Sequence, residues 1–272
     1  MSKPFQYSDI RDRVTEARQL FVVSDFDGTL CPLASSPELV QVADRTRHVL
    51  QSLGDSPDVV LAILSGRRME DVQAKAGIPA IYGGNHGLEI TGPGVHFLHP
   101  EAITFGTKLK RLSTSISEAI APWPEAWIEN KRWSVTVHMR GVALQEWPAV
   151  TRAVSLTVKS MKDDFWLRPA HAAAEVIPLI EWDKGSAVHY LRRELRLESA
   201  LVICLGDDTT DETMFRALPN GITIRVGKKD DTNASYYVDS VEKATEVLEK
   251  IARDFQPQGR ASANRSISSA SM

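Results

Sequence analysis

Leu20-Phe21-Val22-Val23-Ser24-Asp25-Phe26-Asp27-Gly28-Thr29-Leu30 is the stretch whose reading decides the fold. The run Leu20 to Val23 carries no polar alternation, the pattern of a strand covered on both faces, as in a parallel sheet. Asp25 and Asp27 follow at spacing i, i+2, and Gly28 permits a sharp change of chain direction. Two carboxylates leaving a strand side by side repel each other unless something neutralises them. A hard divalent cation such as Mg²⁺ does this with oxygen ligands while keeping several of its waters.

Four more apolar runs end in polar groups in the same way. Val59 to Leu64 runs into Ser65-Gly66-Arg67, and Ala80 to Tyr82 into Gly83-Gly84-Asn85-His86-Gly87. Leu201 to Leu205 runs into Gly206-Asp207-Asp208, and Ile222 to Val226 into Gly227-Lys228-Lys229. Helical patterns lie between them, over Pro37 to Leu53, Met69 to Ala76, Lys184 to Leu195, Thr210 to Leu218 and Val241 to Phe255. This alternation predicts an α/β core, a Rossmann-like parallel sheet with helices on both faces. Ligands of such sheets bind beyond the carboxyl ends of the strands, so these polar groups are expected to converge.

Between about Glu101 and Glu175 the rhythm changes. A helical pattern from Ile103 to Ala121 precedes runs at Trp127 to Asn130 and Trp133 to His138. A second helix, Leu144 to Ser160, precedes runs at Phe165 to Arg168 and Ala173 to Ile177. Helix then hairpin, repeated, predicts an α+β module over 101–176, inserted into a core made of 1–100 and 177–255, with its helices on one face of a small antiparallel sheet. Residues 256–272 are rich in Ser, Ala, Arg and Asn and are expected to form a disordered tail. The first dozen residues carry no readable pattern.

Charge is nearly balanced, at a net −3, which gives no electrostatic footprint for nucleic acid. No apolar run reaches the length of a membrane span, and the N-terminus lacks a signal-peptide layout, so a cytoplasmic protein is expected. The two cysteines, Cys31 and Cys204, have no metal-ligand spacing and read as small packing residues.

The residues at the strand ends fit one reaction, phosphoryl transfer. A carboxylate can act as nucleophile and form an aspartyl phosphate; Asp25 is the candidate. Asp27 can protonate the leaving oxygen and later take a proton from the attacking water. Ser65, with its hydroxyl and a neighbouring backbone N–H, suits phosphate oxygens, and Lys184 can neutralise charge on nucleophile and transferred group. Asp207 and Asp208, with Asp211 one turn on, complete an anionic end for a metal.

The set Asp25-x-Asp27-Gly28-Thr29, Ser65-Gly66-Arg67, Lys184 and Gly206-Asp207-Asp208-x-x-Asp211 resembles the four motifs of the haloacid-dehalogenase-like phosphatases. The insert between the second and third motifs matches the subclass with an α+β cap there. This resemblance implies Asp25 as nucleophile, Asp27 as general acid/base, and Ser65 and Lys184 as phosphate clamp, with Gly66 and Arg67 beside them. It also implies Mg²⁺ held by Asp25, the backbone carbonyl of Asp27 and Asp207, with Asp208 or Asp211 reaching it directly or through water.

Within the insert, Glu129-Asn130-Lys131, then His138-Met139-Arg140, then Glu175-Val176-Ile177-Pro178, is similar to the trehalose-6-phosphate phosphatases, as is the loop Gly84-Asn85-His86-Gly87. The similarity implies that Glu129, Lys131 and Glu175 grip the distal glucose, with His138 and Arg140 on the same surface, and that Asn85 and His86 belong to the substrate site. A closing cap would exclude water over the bound sugar phosphate. One position departs: the family commonly carries arginine before the proline matching Pro178, and here Ile177 stands there. Phosphatases of glucosylglycerol or glucosylglycerate phosphate therefore remain alternatives. So do a phosphomannomutase-like sugar phosphomutase and a non-catalytic sugar-phosphate sensor. The expected partner is a small sugar phosphate, with functional coupling to a trehalose-phosphate synthase.

Overall fold

The protein is described by a computed structural model that covers residues 2–255 apart from 35, 162, 163 and 171; the tail read over 256–272 lies outside the described residues. In chain order the first elements are β1 (Lys3–Pro4), α1 (Arg11–Glu16), β2 (Leu20–Ser24), α2 (Asp44–Gly54), β3 (Val59–Leu64), α3 (Met69–Ala76), β4 (Ile81–Gly84), β5 (Glu89–Gly92) and β6 (Val95–Leu98). Then follow α4 (Pro100–Ala119), β7 (Trp127–Asn130), β8 (Val135–His138), α5 (Trp147–Lys159), β9 (Phe165–Ala170) and β10 (Ala173–Pro178). The chain ends in α6 (Lys184–Glu194), β11 (Leu201–Gly206), α7 (Glu212–Ala217), β12 (Ile222–Val226), β13 (Tyr236–Val238) and α8 (Val241–Asp254). Two compact units result, one from the residues up to His96 together with those from Trp182 onward, the other from Phe97–Glu181.

The first unit is built on a nine-stranded sheet in the order β1-β13-β12-β11-β2-β3-β4-β5-β6. Neighbours from β1 through β4 pair in parallel, and β5 joins β4 antiparallel. The sheet is thus mixed, and it carries strands at both edges that the sequence did not announce. At its centre, β2 is buried along its whole length. Leu20 and Val22 join Leu61, Ile63, Ile203, Leu205, Ile222 and Ile224 in a core with α2 and α8, while Phe21 and Val23 point to the other face. Each such side chain contributes on the order of 1.5–3 kcal/mol of apolar burial. On α8, Ala244, Val247, Leu248 and Ile251 fall on one stripe against that core, and the Ser240 hydroxyl caps the helix by accepting from the Lys243 N–H. The helix read from Pro37 begins only at Asp44. Pro37–Leu39 is a single 3-10 turn, and Val40 and Val42 are buried on either side of an exposed Gln41, the alternation of extended chain.

The second unit is a four-stranded antiparallel sheet in the order β7-β8-β10-β9. Helices α4 and α5 cover one face, where Leu109, Leu112, Ile116, Val150, Val154 and Val158 pack on Val135, Val137, Ala174 and Val176.

Candidate active site

Strands β2 and β11 are parallel neighbours in register, Ser24 beside Leu205, and the Asp25 N–H donates to the Leu205 carbonyl at 3.0 Å. Asp25 and Asp207 therefore leave the sheet side by side at its carboxyl rim. Gly28 has a left-handed φ of +79°, and a Cβ there would collide with the Asp207 carboxylate. Only glycine lets this turn lie so close. The Thr29 hydroxyl then donates to Asp207 Oδ1 at 3.2 Å.

Lys184 enters from the start of α6, whose N-cap Asp183 accepts from the Ser186 N–H at 2.8 Å. Its Nζ donates to Asp25 Oδ1 at 2.5 Å and to Asp211 Oδ1 at 2.7 Å. All three groups are buried, with side-chain exposures of 2% for Lys184, 7% for Asp25 and 0% for Asp211. Burial opposes the lysine's charge, but the carboxylates of Asp211 and Asp25 outweigh it and hold the ammonium above its ordinary pKa. Burial, with repulsion from Asp211 and Asp207, pushes the Asp25 carboxyl well up, against the pull of Lys184. Burial and Asp211 also raise Asp207, to about 6.

One oxygen each from Asp25, Asp207 and Asp211 lies within 4.8 Å of the others. This is an all-oxygen, acidic donor set, the chemistry a hard divalent cation requires. Asp211, read from sequence as part of this anionic end, is its most buried member. Its Oδ2 accepts the N–H groups of Asp207 and Asp208, both at 2.9 Å, so it braces the loop as well as Lys184. Asp208 is instead exposed and caps the short 3-10 turn Thr209–Asp211, which removes its side chain from the cluster. The Asp27 carboxylate is likewise absent from it: Arg67 Nε and Nη2 hold its two oxygens at 2.6 and 2.7 Å.

Arg67, read from sequence as substrate-binding, thus spends its guanidinium on Asp27, and its Nη1 donates to Asp71 Oδ2 at 2.7 Å and to the Pro37 carbonyl at 3.0 Å. Ser65 follows directly on the end of β3, and its hydroxyl accepts from the Arg67 N–H at 3.2 Å. The loop after β4 locks onto this turn: the Asn85 N–H donates to the Arg67 carbonyl and the His86 N–H to the Ser65 carbonyl, both at 2.8 Å. Asn85 and His86 adopt left-handed φ values of 48° and 60°, which brings the His86 ring against Gly66. The Asn85 side chain donates to Glu89 Oε1 at 3.1 Å and is buried within its own loop. Arg225 was not singled out by sequence. It is buried on β12, donates to the carbonyls of Asp207 and Asp208 and to Glu212 Oε1, and so grips the acidic loop from behind. A lone cation inside the apolar run 222–226 was the signal.

In the second unit the face without helices carries the remaining candidates. His138 Nε2 lies 2.9 Å from Glu129 Oε2, and the His138 ring stacks on Trp127 with centroids 4.0 Å apart. Glu175 is buried; Lys131 Nζ reaches its Oε1 at 3.2 Å, and Arg168 binds its Oε2. Glu129, Lys131, His138 and Glu175 therefore share one surface. Arg140 is exposed on the turn past the end of β8.

Residues 23–242 match the trehalose-phosphatase family. The chain is 33% identical over 261 residues to the trehalose-phosphate phosphatase of Mycobacterium leprae, covering 90% of this chain and 60% of that one. It is 29% identical to trehalose-phosphate phosphatase B of Arabidopsis thaliana, over 87% and 67% of the two chains. The chain spans about six-tenths of the length of the mycobacterial relatives it matches. In fold it is similar to the C-terminal domain of Candida albicans trehalose-6-phosphate phosphatase, with a TM-score of 0.75 at 21% identity over 93% of this chain and 98% of that one. The acidic rim around Lys184 lies inside the matched span, and the chain belongs to the trehalose-phosphatase family.

Proposed function

We propose that the protein is a Mg²⁺-dependent phosphatase that hydrolyses trehalose 6-phosphate to trehalose and inorganic phosphate. The observation that carries this reading is the buried triad of Lys184 between Asp25 and Asp211, with Asp207 alongside, at the carboxyl rim of the sheet. Asp25 is the nucleophile: one of its oxygens attacks phosphorus in line, and the bond from phosphorus to the sugar oxygen breaks. Asp27 delivers a proton to that departing oxygen, then takes one from the water that hydrolyses the aspartyl phosphate. Lys184 and the Ser65 hydroxyl hold charge on the phosphoryl oxygens. Asp25, Asp207 and the Asp27 carbonyl would hold Mg²⁺, with Asp211 as their brace. The bound ion supplies charge neutralisation for the transferred group and its nucleophile.

For Asp27 to act, its carboxylate must exchange Arg67 for the substrate's leaving oxygen, so Arg67 serves as a positioning residue. Glu129, Lys131 and Glu175, with His138 beside them, read the sugar hydroxyls through charge-assisted hydrogen bonds. Among the described residues no helix is long and apolar enough to cross a membrane. Two buried free thiols, Cys31 and Cys204, suit the reducing cytoplasm, where a trehalose-phosphate synthase would supply the substrate. The test is a panel of sugar phosphates assayed for Mg²⁺-dependent phosphate release, with glucosylglycerol and glucosylglycerate phosphates beside trehalose 6-phosphate. Trehalose 6-phosphate should lead by an order of magnitude or more in kcat/KM. Phosphoryl return to a sugar without free phosphate would make the protein a mutase, and binding without turnover would make it a sensor.

A further inference from the structure

In the insert, Ile128, Val135, Val137, Ala174, Val176 and Leu167 belong to the core under α4 and α5. Strand alternation therefore puts Glu129, Thr136, Glu175 and Arg168 on the opposite face. The register makes them one line: Glu129 pairs with Thr136 across β7 and β8, Thr136 with Glu175 across β8 and β10, and Glu175 with Arg168 across β10 and β9. The line crosses three strand spacings, about 14 Å in all.

Two observations on this line are not explained by folding. The Thr136 hydroxyl, in a residue only 4% exposed, has no hydrogen-bond partner, although it stands between two carboxylate-bearing neighbours. A buried hydroxyl without a partner costs stability that a hydrocarbon of the same shape would not. Two tryptophans on the same face are also open, Trp127 at 41% and Trp166 at 57%. Indoles flanking a line of carboxylate, hydroxyl and guanidinium groups suit a polyol ligand with apolar C–H faces and polar edges.

We propose that the sugar subsite extends along this entire line, and that Arg168 and Thr136 are specificity-determining residues for the disaccharide. Arg168 brings a guanidinium to Glu175 from the outer strand β9. Ile177, which pairs with Trp166 one step along the same strands, brings none. Glu175 is then held by Lys131 on one oxygen and Arg168 on the other, which fixes the carboxylate for a sugar hydroxyl. Thr136 supplies the hydroxyl in the middle of the line, satisfied only when the ligand is bound. This inference rests on the phosphatase reading above and names how that site selects its sugar.

The experiment uses the full chain and compares Arg168→Gln, Arg168→Lys and Thr136→Val with wild type. Steady-state kinetics are measured on trehalose 6-phosphate and on p-nitrophenyl phosphate, with melting temperatures alongside. Arg168→Gln should lower kcat/KM for trehalose 6-phosphate about 10- to 100-fold, mostly through KM, and lower the ratio to p-nitrophenyl phosphate at least tenfold. Arg168→Lys should recover part of the ratio. Thr136→Val should melt at the same or a higher temperature and still lose several-fold in that ratio, a combination a purely structural threonine would not produce. Losses equal on both esters, or a Thr136→Val ratio like that of wild type, overturn the inference. Failure of wild type on trehalose 6-phosphate defeats the substrate assignment alone. The same ratio is then read on whichever glycosyl phosphate the panel selects, and a panel with no substrate overturns both.

Discussion

Replacing Lys184 with methionine removes one ammonium and leaves two buried carboxylates facing each other. In wild type that ammonium sits 2.5 Å from Asp25 and 2.7 Å from Asp211 with only 2% of its side chain exposed. Removing one partner of a buried pair costs about 3–5 kcal/mol, because the remaining charge has no compensation. At roughly 2–4 °C per kcal/mol for a chain of this size, the melting temperature should fall by about 6–20 °C. The pH dependence has a definite sign. Lys184 has its pKa raised in the folded state, so its contribution is complete below the free-lysine value of 10.5 and is constant between pH 5.5 and 8. Without it, Asp25 loses the charge that draws it down and is held further above its ordinary pKa than in wild type, by burial and by Asp211 and Asp207. The folded variant then binds more protons than the unfolded chain, and its stability falls as pH rises. The deficit should thus be larger at pH 8 than at pH 5.5. Thermal melts of Lys184→Met and wild type at the two pH values, without added metal, measure this directly. A melting temperature within 2 °C of wild type at pH 8 would show that the triad is not the buried, mutually dependent unit described above.

Asp25→Asn should leave the protein folded, with Lys184 still paired to Asp211, and abolish phosphate release; appreciable residual hydrolysis would take the nucleophile role away from Asp25. Burial and Asp211 push the Asp207 carboxyl up to about 6, so protons should compete with Mg²⁺ below that value. Calorimetric Mg²⁺ affinity should drop about tenfold from pH 7.5 to pH 5, and a pH-independent affinity would exclude Asp207 as a ligand. Glu129→Ala or Lys131→Ala should damage trehalose 6-phosphate hydrolysis far more than that of p-nitrophenyl phosphate; equal losses would mean these side chains do not read sugar. Arg67→Gln frees Asp27 from its two-point clamp. It should lower kcat by about 10- to 100-fold, within the range that positioned acid–base groups contribute, and an unchanged kcat would reduce Arg67 to a packing role.

The central strands were legible because each needs two apolar faces, and no polar residue interrupts Leu20 to Val23 or Leu201 to Leu205. The edge strands were not. Lys3–Pro4 and Tyr236–Val238 are two and three residues long, and they exist only by pairing with each other and with β12. Residues this short have no period to read, so their structure is a property of the partner. Residues 37–43 failed for a different reason. Leu39 and Val42 sit at helical spacing while Val40 and Val42 sit at spacing two, and only the burial of Val40 and Val42 beside an exposed Leu39 chooses between the two periods.

The candidate site divides along the same physical boundary. Asp25, Ser65, Lys184 and Asp207 were readable because each follows directly from the end or start of a regular element, so the sheet itself aims it. The roles of Asp208 and Asp211 turn on one short capped turn, in which Asp208 faces solvent while Asp211 reaches back to two backbone N–H groups and to Lys184. Spacing i to i+3 cannot say which of two aspartates turns inward. Arg225 behind the loop left no more than a lone cation in an apolar run, and Arg168 opposite Glu175 left no signal, because their partners lie on other elements. Strand register made those pairs, and register is a long-range property that no local window contains. The grip of Arg67 on Asp27, of Arg225 on the acidic loop and of Arg168 on Glu175 is therefore the part of this site that only the folded chain reveals.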